Sequence, residues 1–312
     1  MIRQTKALYA FTYCLLSPLH TPTTCEAIRS TAAFTGSTTR KVTFQPTQRR
    51  ITVPTRRNMS SGVTPTATDI EANLADVKSR IAETIEECNL KEGSVRLIAV
   101  SKTKPVELLQ NAYDVGQRYF GENYAQELMG KAAEMPSDIK WHFIGPLQSN
   151  KAAPLVKSLG LKKLACVETV STMKLANKLN NAVTSLKEQG GDGAGEDDLL
   201  GIYIQANTSG EDSKSGVSTG KECADLASEI SASCPNLKIL GLMTIGAPGD
   251  YSCFDTLVEF RKEVADALSV NAETLELSMG MSGDYPEAIK RGATSVRVGS
   301  TIFGARDYSN KK

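Results

Sequence analysis

The chain has 312 residues, a formal net charge of +1, 40% hydrophobic residues and 23% charged residues. This composition is typical of a soluble globular protein, and the length allows one large domain or two ordinary ones. The near-neutral charge, without basic clusters interleaved with aromatics in the body of the chain, argues against nucleic acid or a membrane surface as partner.

Cysteine and histidine give no sign of a disulfide framework or a metal site. There are seven cysteines without a C-x-x-C pair, and the two histidines, His20 and His142, lie far apart. An odd cysteine count in a long chain argues against paired disulfides, and zinc ligands are usually closely and regularly spaced. We expect a reduced intracellular protein without a metal.

Residues 1–65 differ from the rest, because they are rich in Ser, Thr and Arg and contain one acid, Glu26. A basic, acid-poor leader is typical of an organellar transit peptide. We expect a disordered leader over 1–65 and a folded domain over 66–312, in the mitochondrion or the cytoplasm. A plastid address and a tail without targeting function stay open, and a start at Met59 would give a cytoplasmic product.

From Thr68 onward, helical and strand patterns alternate. The first predicted helix begins at Thr68 or Asp69 and ends near Asn89, and one of its faces is apolar. Helical segments then alternate with eight short apolar runs, in chain order VRLIAVSK, RYFGE, WHFIG, KLACVETV, LLGIYIQAN, KILGLMTIG, TLELSMGM and SVRVGSTIFG.

Eight alternating strands and helices predict a parallel sheet with helices outside it. The fold class is therefore α/β, and the number of units favours a single (β/α)8 barrel of the TIM type. An open doubly wound sheet fits less well, because the first strand is not followed by G-x-G-x-x-G.

The candidate chemistry lies where the strands end, since barrels of this type carry their sites at the C-terminal ends of the strands. Lys102 follows the first apolar run. A low-dielectric position lowers the pKa of a lysine and makes its amine a better nucleophile, which Schiff-base chemistry requires. The alternative is a lysine that only extends to the rim of the barrel.

The seventh and eighth strands end in small and hydroxylated residues. Ser278 lies in the seventh, and Gly299, Ser300 and Thr301 follow one another in the eighth. Loops after these two strands form the usual phosphate site of such barrels, although tight turns would also use these residues.

Arg297 is predicted to face the barrel interior, where a guanidinium needs an acceptor. A ring nitrogen, a carboxylate of a ligand or a structural ion pair would serve. Asn123 follows the second strand at the same end of the barrel, and His142 is interpreted as a core histidine without a catalytic role.

The segments LIAVSKTKP, YFGENYAQE, WHFIGPLQSNK, GLMTIG, LSMGMSGD and VRVGSTIFGARDY resemble the pyridoxal phosphate homeostasis protein family. The resemblance covers about residues 68–309 and includes every strand end. The family is similar in fold to the barrel domain of bacterial alanine racemase. The leader and the segment EQGGDGAGEDD depart from its pattern.

The resemblance implies that Lys102 holds pyridoxal 5′-phosphate (PLP) as a Schiff base. The other residues that it places at the cofactor are Asn123, Met243, Ser278, Arg297, Gly299, Ser300 and Thr301. Of these, Ser278, Gly299, Ser300 and Thr301 match the phosphate cradle, Arg297 matches the arginine at the pyridine nitrogen, and Asn123 and Met243 match the pocket lining.

The resemblance further implies a non-enzymatic protein of intracellular PLP (vitamin B6) homeostasis. We expect a monomer that contacts apo PLP enzymes transiently, because the chain stops at Lys312 with no room for the second domain of the racemases. Two alternatives are a PLP-dependent amino-acid racemase and a barrel enzyme that uses Lys102 as a catalytic amine on a phosphorylated metabolite.

Overall fold

We describe the fold from a computed structural model, which describes residues 65–191, 195–211 and 215–305. The predicted leader, apart from its last residue, lies outside this part of the chain. Among the described residues, no helix combines the length and the apolar character needed to cross a lipid bilayer.

Eight parallel strands close into a barrel in which each strand pairs with the next and β8 pairs with β1. The fold-class prediction is thereby confirmed. The strands are β1 (Arg96–Val100), β2 (Tyr119–Glu122), β3 (Lys140–Phe143), β4 (Leu164–Val170), β5 (Leu200–Gln205), β6 (Leu237–Met243), β7 (Glu276–Met281) and β8 (Ser295–Val298).

A helix precedes the barrel, a helix follows each strand, and these helices form its outer layer. They are α1 (Ala67–Glu87), α2 (Val106–Asp114), α3 (Ala125–Glu134), α4 (Ala152–Lys163), α5 (Met173–Glu188), α6 (Gly220–Ser233), α7 (Ser252–Leu268), α8 (Tyr285–Lys290) and α9 (Ser300–Phe303).

Helix α1 begins earlier than the sequence predicted, and its cap is Thr66 rather than Thr68 or Asp69. The Thr66 hydroxyl accepts from the backbone of Asp69, while the Asp69 carboxylate accepts from the backbone of Thr66. This reciprocal capping box satisfies two donors at the start of the helix. The prediction placed the start of the helix too late, because it located the cap from the first apolar residue, Ile70.

The eighth strand is shorter than predicted, because the segment SVRVGSTIFG divides after Val298 into a strand and the short helix α9. The apolar pattern of the segment continues into α9, where Ile302 and Phe303 are buried. Periodicity does not distinguish a short buried helix from a short buried strand.

Side chains alternate between two faces along each strand, as the pleat requires. The face toward the helices carries the large apolar core, which includes Phe120, Trp141, Phe143 and Val298. The other face points into the lumen, the interior of the barrel. Its residues include Ile98, His142, Cys166, Glu168, Tyr203, Gln205, Met243, Ser278, Ser295 and Arg297. The lumen is therefore polar, in contrast to the branched apolar filling usual in such barrels.

Candidate functional site

Most of the predicted site residues lie at or just beyond strand ends at one face of the barrel, which we call the mouth. Lys102 lies two residues beyond β1 and is half-buried, while Gly299, Ser300 and Thr301 follow β8. Strands β1 and β8 are direct neighbours, with Ala99 opposite Val298. The pairing thus brings Lys102 and the end of β8 to adjacent positions.

Gly299 allows the ends of β1 and β8 to approach each other closely. A Cβ atom added at Gly299 would lie 3.1 Å from the carbonyl oxygen of Val100 and 3.2 Å from its Cβ atom. The backbone N–H of Gly299 donates to the hydroxyl of Ser282, which follows β7. The connections after β7 and β8 are therefore joined at the mouth.

Lys102 belongs to a tight turn in which the backbone N–H of Lys104 donates to the carbonyl of Ser101 at 3.0 Å. Thr103, the residue after Lys102, has a φ of 61°. A left-handed conformation at the third position is typical of a type II turn, where glycine is the usual residue. The turn presents Lys102 with a fixed backbone.

Arg297 lies in the lumen, 5% exposed, below the mouth. Its Nη1 donates to the Ser278 hydroxyl at 2.6 Å, and its Nη2 donates to the Thr244 carbonyl at 2.6 Å. Glu168 Oε2 lies 3.9 Å from Nη1. Burial lowers the pKa of Arg297, while the charge of Glu168 opposes that shift. The interior orientation expected for Arg297 is thus observed.

Glu168 anchors a buried polar chain beneath Arg297. Its Oε2 accepts from the Ser278 hydroxyl at 2.6 Å, and its Oε1 lies 2.6 Å from His142 Nδ1. Burial alone would raise the pKa of this carboxyl, but hydrogen bonds and the charges of His142 and Arg297 hold it below the ordinary value. Glu168 therefore provides a fixed negative charge in the lumen.

Cys166 completes this chain, with its Sγ 3.0 Å from His142 Nδ1. Burial, together with the charge of Glu168, raises the pKa of the Cys166 thiol well above its ordinary value, so the thiol stays protonated. His142, Cys166 and Glu168 offer three ligand atoms within 4.8 Å of one another. The separation of 2.6 Å between His142 Nδ1 and Glu168 Oε1 is that of a hydrogen bond, whereas two ligands of one zinc ion at 2.0–2.1 Å lie roughly 3 Å apart or more.

Asn123 and Met243 occupy different depths of the site. Asn123 follows β2 at the mouth, and its Oδ1 is buried without a hydrogen-bond partner among the described residues. Met243, at the end of β6, is fully buried in the lumen against Cys166 and Tyr203. An unpartnered buried acceptor is costly, so the position of Asn123 favours a ligand that donates to it.

A cavity of about 680 Å³ lies at the opposite face of the barrel, away from the mouth. Three of its polar lining residues already have partners: Arg96 forms a bidentate pair with Glu276, and Gln117 donates to the carbonyls of Leu97 and Tyr119. These side chains are therefore satisfied at this face without a ligand. The mouth, with its half-buried lysine and unpartnered acceptor, is the better candidate.

Comparison with known proteins assigns the family. A human protein named pyridoxal phosphate homeostasis protein is 43% identical over 227 residues, 69% of this chain and 78% of its own length. The protein of the same name from Caenorhabditis elegans is 47% identical over 225 residues, 69% of this chain and 88% of its own. This chain belongs to the pyridoxal phosphate homeostasis protein family. Residues 72–307 also match the alanine racemase N-terminal domain family.

Solved structures resemble this member of the pyridoxal phosphate homeostasis protein family as well. PipY from Synechococcus elongatus, solved with PLP bound, is 32% identical, with a TM-score of 0.56. The alignment covers 75% of this chain and all of PipY. The resemblance that the sequence carried is thereby confirmed, both for the family and for its similarity in fold to the racemase domain.

Within this family member, sequence reasoning missed the residues that support the predicted ones. Glu168 and Thr244 contact Ser278 and Arg297, respectively, and Lys131 and Glu127 contact the turn that carries Lys102. These four residues lie 24 to 110 positions from their partners in the sequence and meet them only in the folded barrel. The only available signal was a glutamate at an inward position of a buried strand in KLACVETV.

Proposed function

We propose that this chain binds PLP at the mouth, with the Lys102 amine as the point of covalent attachment, and serves intracellular PLP homeostasis without catalysing a reaction. One observation carries the proposal: a single strand-end face combines the half-buried Lys102, the buried Arg297 and the hydroxyl-bearing end of β8. The names of the relatives and the PLP bound to PipY support it.

The residues at the mouth fit this cofactor. The buried Asn123 Oδ1 is an acceptor that lacks a partner among the described residues, and a ring hydroxyl can donate to it. Helix α9 begins at Ser300, directly after Gly299, so the backbone N–H groups of Ser300 and Thr301 have no acceptor within the helix, and both residues also carry hydroxyls. Backbone N–H groups and hydroxyls are suitable donors for a phosphate. We therefore assign the phosphate to Gly299, Ser300 and Thr301.

Ser278 receives a different role from the one implied by the resemblance. Its hydroxyl has one proton, which it donates to Glu168, and it accepts from Arg297. A phosphate oxygen needs a donor, so the side chain of Ser278 in this state has no proton to offer. We propose that the side chain of Ser278 holds Arg297 in position. Met243 lines the lumen below the cofactor in this proposal.

Arg297 supports a carrier over an enzyme. Bound PLP supplies an electron sink whose strength depends on protonation of its pyridine nitrogen. We place Arg297 at that nitrogen, where a permanently charged guanidinium disfavours protonation. Ser278 and Thr244 hold the guanidinium in place, and the charge of Glu168 favours its ionised form. A racemase also needs a base on each face of its substrate, so turnover of alanine is the decisive comparison.

Attachment is tested on the full chain by absorption spectroscopy with PLP, followed by borohydride reduction and peptide mapping. Lys102→Ala should remove the visible band and the reduced label. Lys104→Ala is the matched control, because Lys104 lies two residues away with its Nζ on the carbonyl of Ala305. Wild-type protein that stays colourless and unlabelled would refute the proposal, as would a label that maps to Lys104.

The carrier role is tested with the same PLP-loaded protein. We expect no racemisation of L- or D-alanine above the rate of free PLP, and we expect release of PLP to an added apo PLP enzyme. Sustained racemisation that Lys102→Ala abolishes would instead establish the racemase alternative. The two assays together separate storage and delivery from catalysis.

A further inference from the structure

The turn that carries Lys102 contains an unfavourable backbone conformation. Thr103 has a φ of 61°, and a β-branched residue rarely adopts the left-handed region. Such conformations persist only where surrounding contacts impose them, and they cluster at functional sites. The question is therefore which contacts hold Thr103 in this state.

Two charged residues of α3 hold the backbone on both sides of Lys102. Glu127 Oε1 accepts from the backbone N–H of Thr103 at 2.6 Å. Lys131 Nζ donates to the backbone carbonyl of Ser101 at 2.8 Å. Glu127 and Lys131 are themselves joined by an ion pair of 2.6 Å, one helical turn apart. The peptide groups before and after Lys102 are thus fixed by one helix.

Lys131 also contacts a second carboxylate, that of Glu122 at the end of β2. Lys131 Nζ donates to Glu122 Oε1 at 2.7 Å, and the Ser101 hydroxyl donates to the same oxygen at 2.6 Å. The side chains of Lys131 and Glu122 are 7% and 0% exposed. A buried ion pair is weak evidence for stability, because desolvation offsets its attraction. Its contacts with the Lys102 turn offer a functional reason for it.

We propose that Glu127 and Lys131 are positioning residues for Lys102, holding a strained turn in the conformation that presents the lysine amine to PLP. The inference rests on the proposed function and deepens it. Glu127 is the more informative position to change, because its side chain is 21% exposed and Lys131 keeps Glu122 as a partner when it is removed.

The first experiment compares PLP binding by wild type, Glu127→Ala and the control Glu134→Ala, which changes an exposed residue of the same helix. Loss of one charge-assisted hydrogen bond should weaken PLP binding about tenfold in Glu127→Ala. Its thermal midpoint should stay close to that of wild type, and Glu134→Ala should bind normally. Wild-type affinity in Glu127→Ala would overturn the inference.

The second experiment tests whether the turn is the cause. Glycine adopts a positive φ without strain, so Thr103→Gly added to Glu127→Ala should restore binding to within about threefold of wild type. Failure of this rescue would overturn the inference. Amide exchange of Thr103 in the protein without PLP gives an independent readout, and it should be faster in Glu127→Ala. If wild type takes up no PLP, the proposed function itself fails. If wild type and Glu127→Ala bind PLP equally well, only the positioning role fails.

Discussion

Replacing Glu168 with glutamine tests the interpretation that a fixed negative charge stabilises Arg297 in the lumen. The substitution keeps the size of the side chain, and its amide oxygen can still accept from the Ser278 hydroxyl. It removes the charge that lies 3.9 Å from Arg297 Nη1. The guanidinium is then left buried with only neutral acceptors, the Ser278 hydroxyl and the Thr244 carbonyl.

The expected cost follows from this geometry. Removing one partner of a buried ion pair typically costs about 3–5 kcal/mol, because the other charge stays buried without compensation. Arg297 retains two short hydrogen bonds, so we expect the lower end, about 3 kcal/mol. Since domains of this kind are stable by about 5–15 kcal/mol, Glu168→Gln should fold but be clearly weakened.

Urea unfolding of the full chain measures this cost, with Glu134→Gln as the control at an exposed site. We expect the midpoint of Glu168→Gln to fall while the slope of the transition is unchanged, which identifies a change in stability rather than in the surface exposed on unfolding. A loss below about 1 kcal/mol would refute the reasoning, because an uncompensated buried guanidinium cannot be that inexpensive.

Three further predictions concern pH, packing and capping. The pKa of Glu168 is below its ordinary value of 4.5, so the stability that its ionisation contributes is present above pH 4.5 and is lost as the pH falls through the lowered pKa. Unfolding measured over a series of acidic pH values should show this loss in wild type and not in Glu168→Gln. Gly241→Ala should prevent soluble expression, because the new Cβ atom would overlap the carbonyl oxygen of Glu276. Gly130→Ala should instead raise the thermal midpoint, because Gly130 lies on α3 with open space around it and alanine favours the helix more than glycine does. Thr66→Ala should cost about 1 kcal/mol in urea unfolding through loss of the capping box.

The barrel was predictable from the sequence because each strand is a short apolar run followed by a periodic helical segment. Boundaries failed where local patterns overlap. The capping box of α1 precedes its first apolar residue, and α9 continues the apolar run of β8. In both places, the deciding feature is a backbone conformation that hydrophobic pattern does not report.

The site was only half predictable. Arg297 and Lys102 were accessible to sequence reasoning, since a charged residue within or just after an apolar strand needs an explanation. Their supports were not, because Glu168 reaches Ser278 across the barrel and Lys131 of α3 reaches the turn that follows β1. Pairs of this kind are set by strand order and barrel closure, which determine distance in space independently of separation in sequence.

The division of the strands into an apolar outer face and a polar lumen has a consequence for how such a barrel can evolve. Apolar burial, which supplies most of the stability, lies between strands and helices. The lumen contributes mainly paired polar groups, among them Arg297, Glu168 and His142. Substitutions in one layer can therefore alter ligand chemistry while the other layer preserves the scaffold. A barrel arranged in this way can change its occupant without first having to rebuild its core.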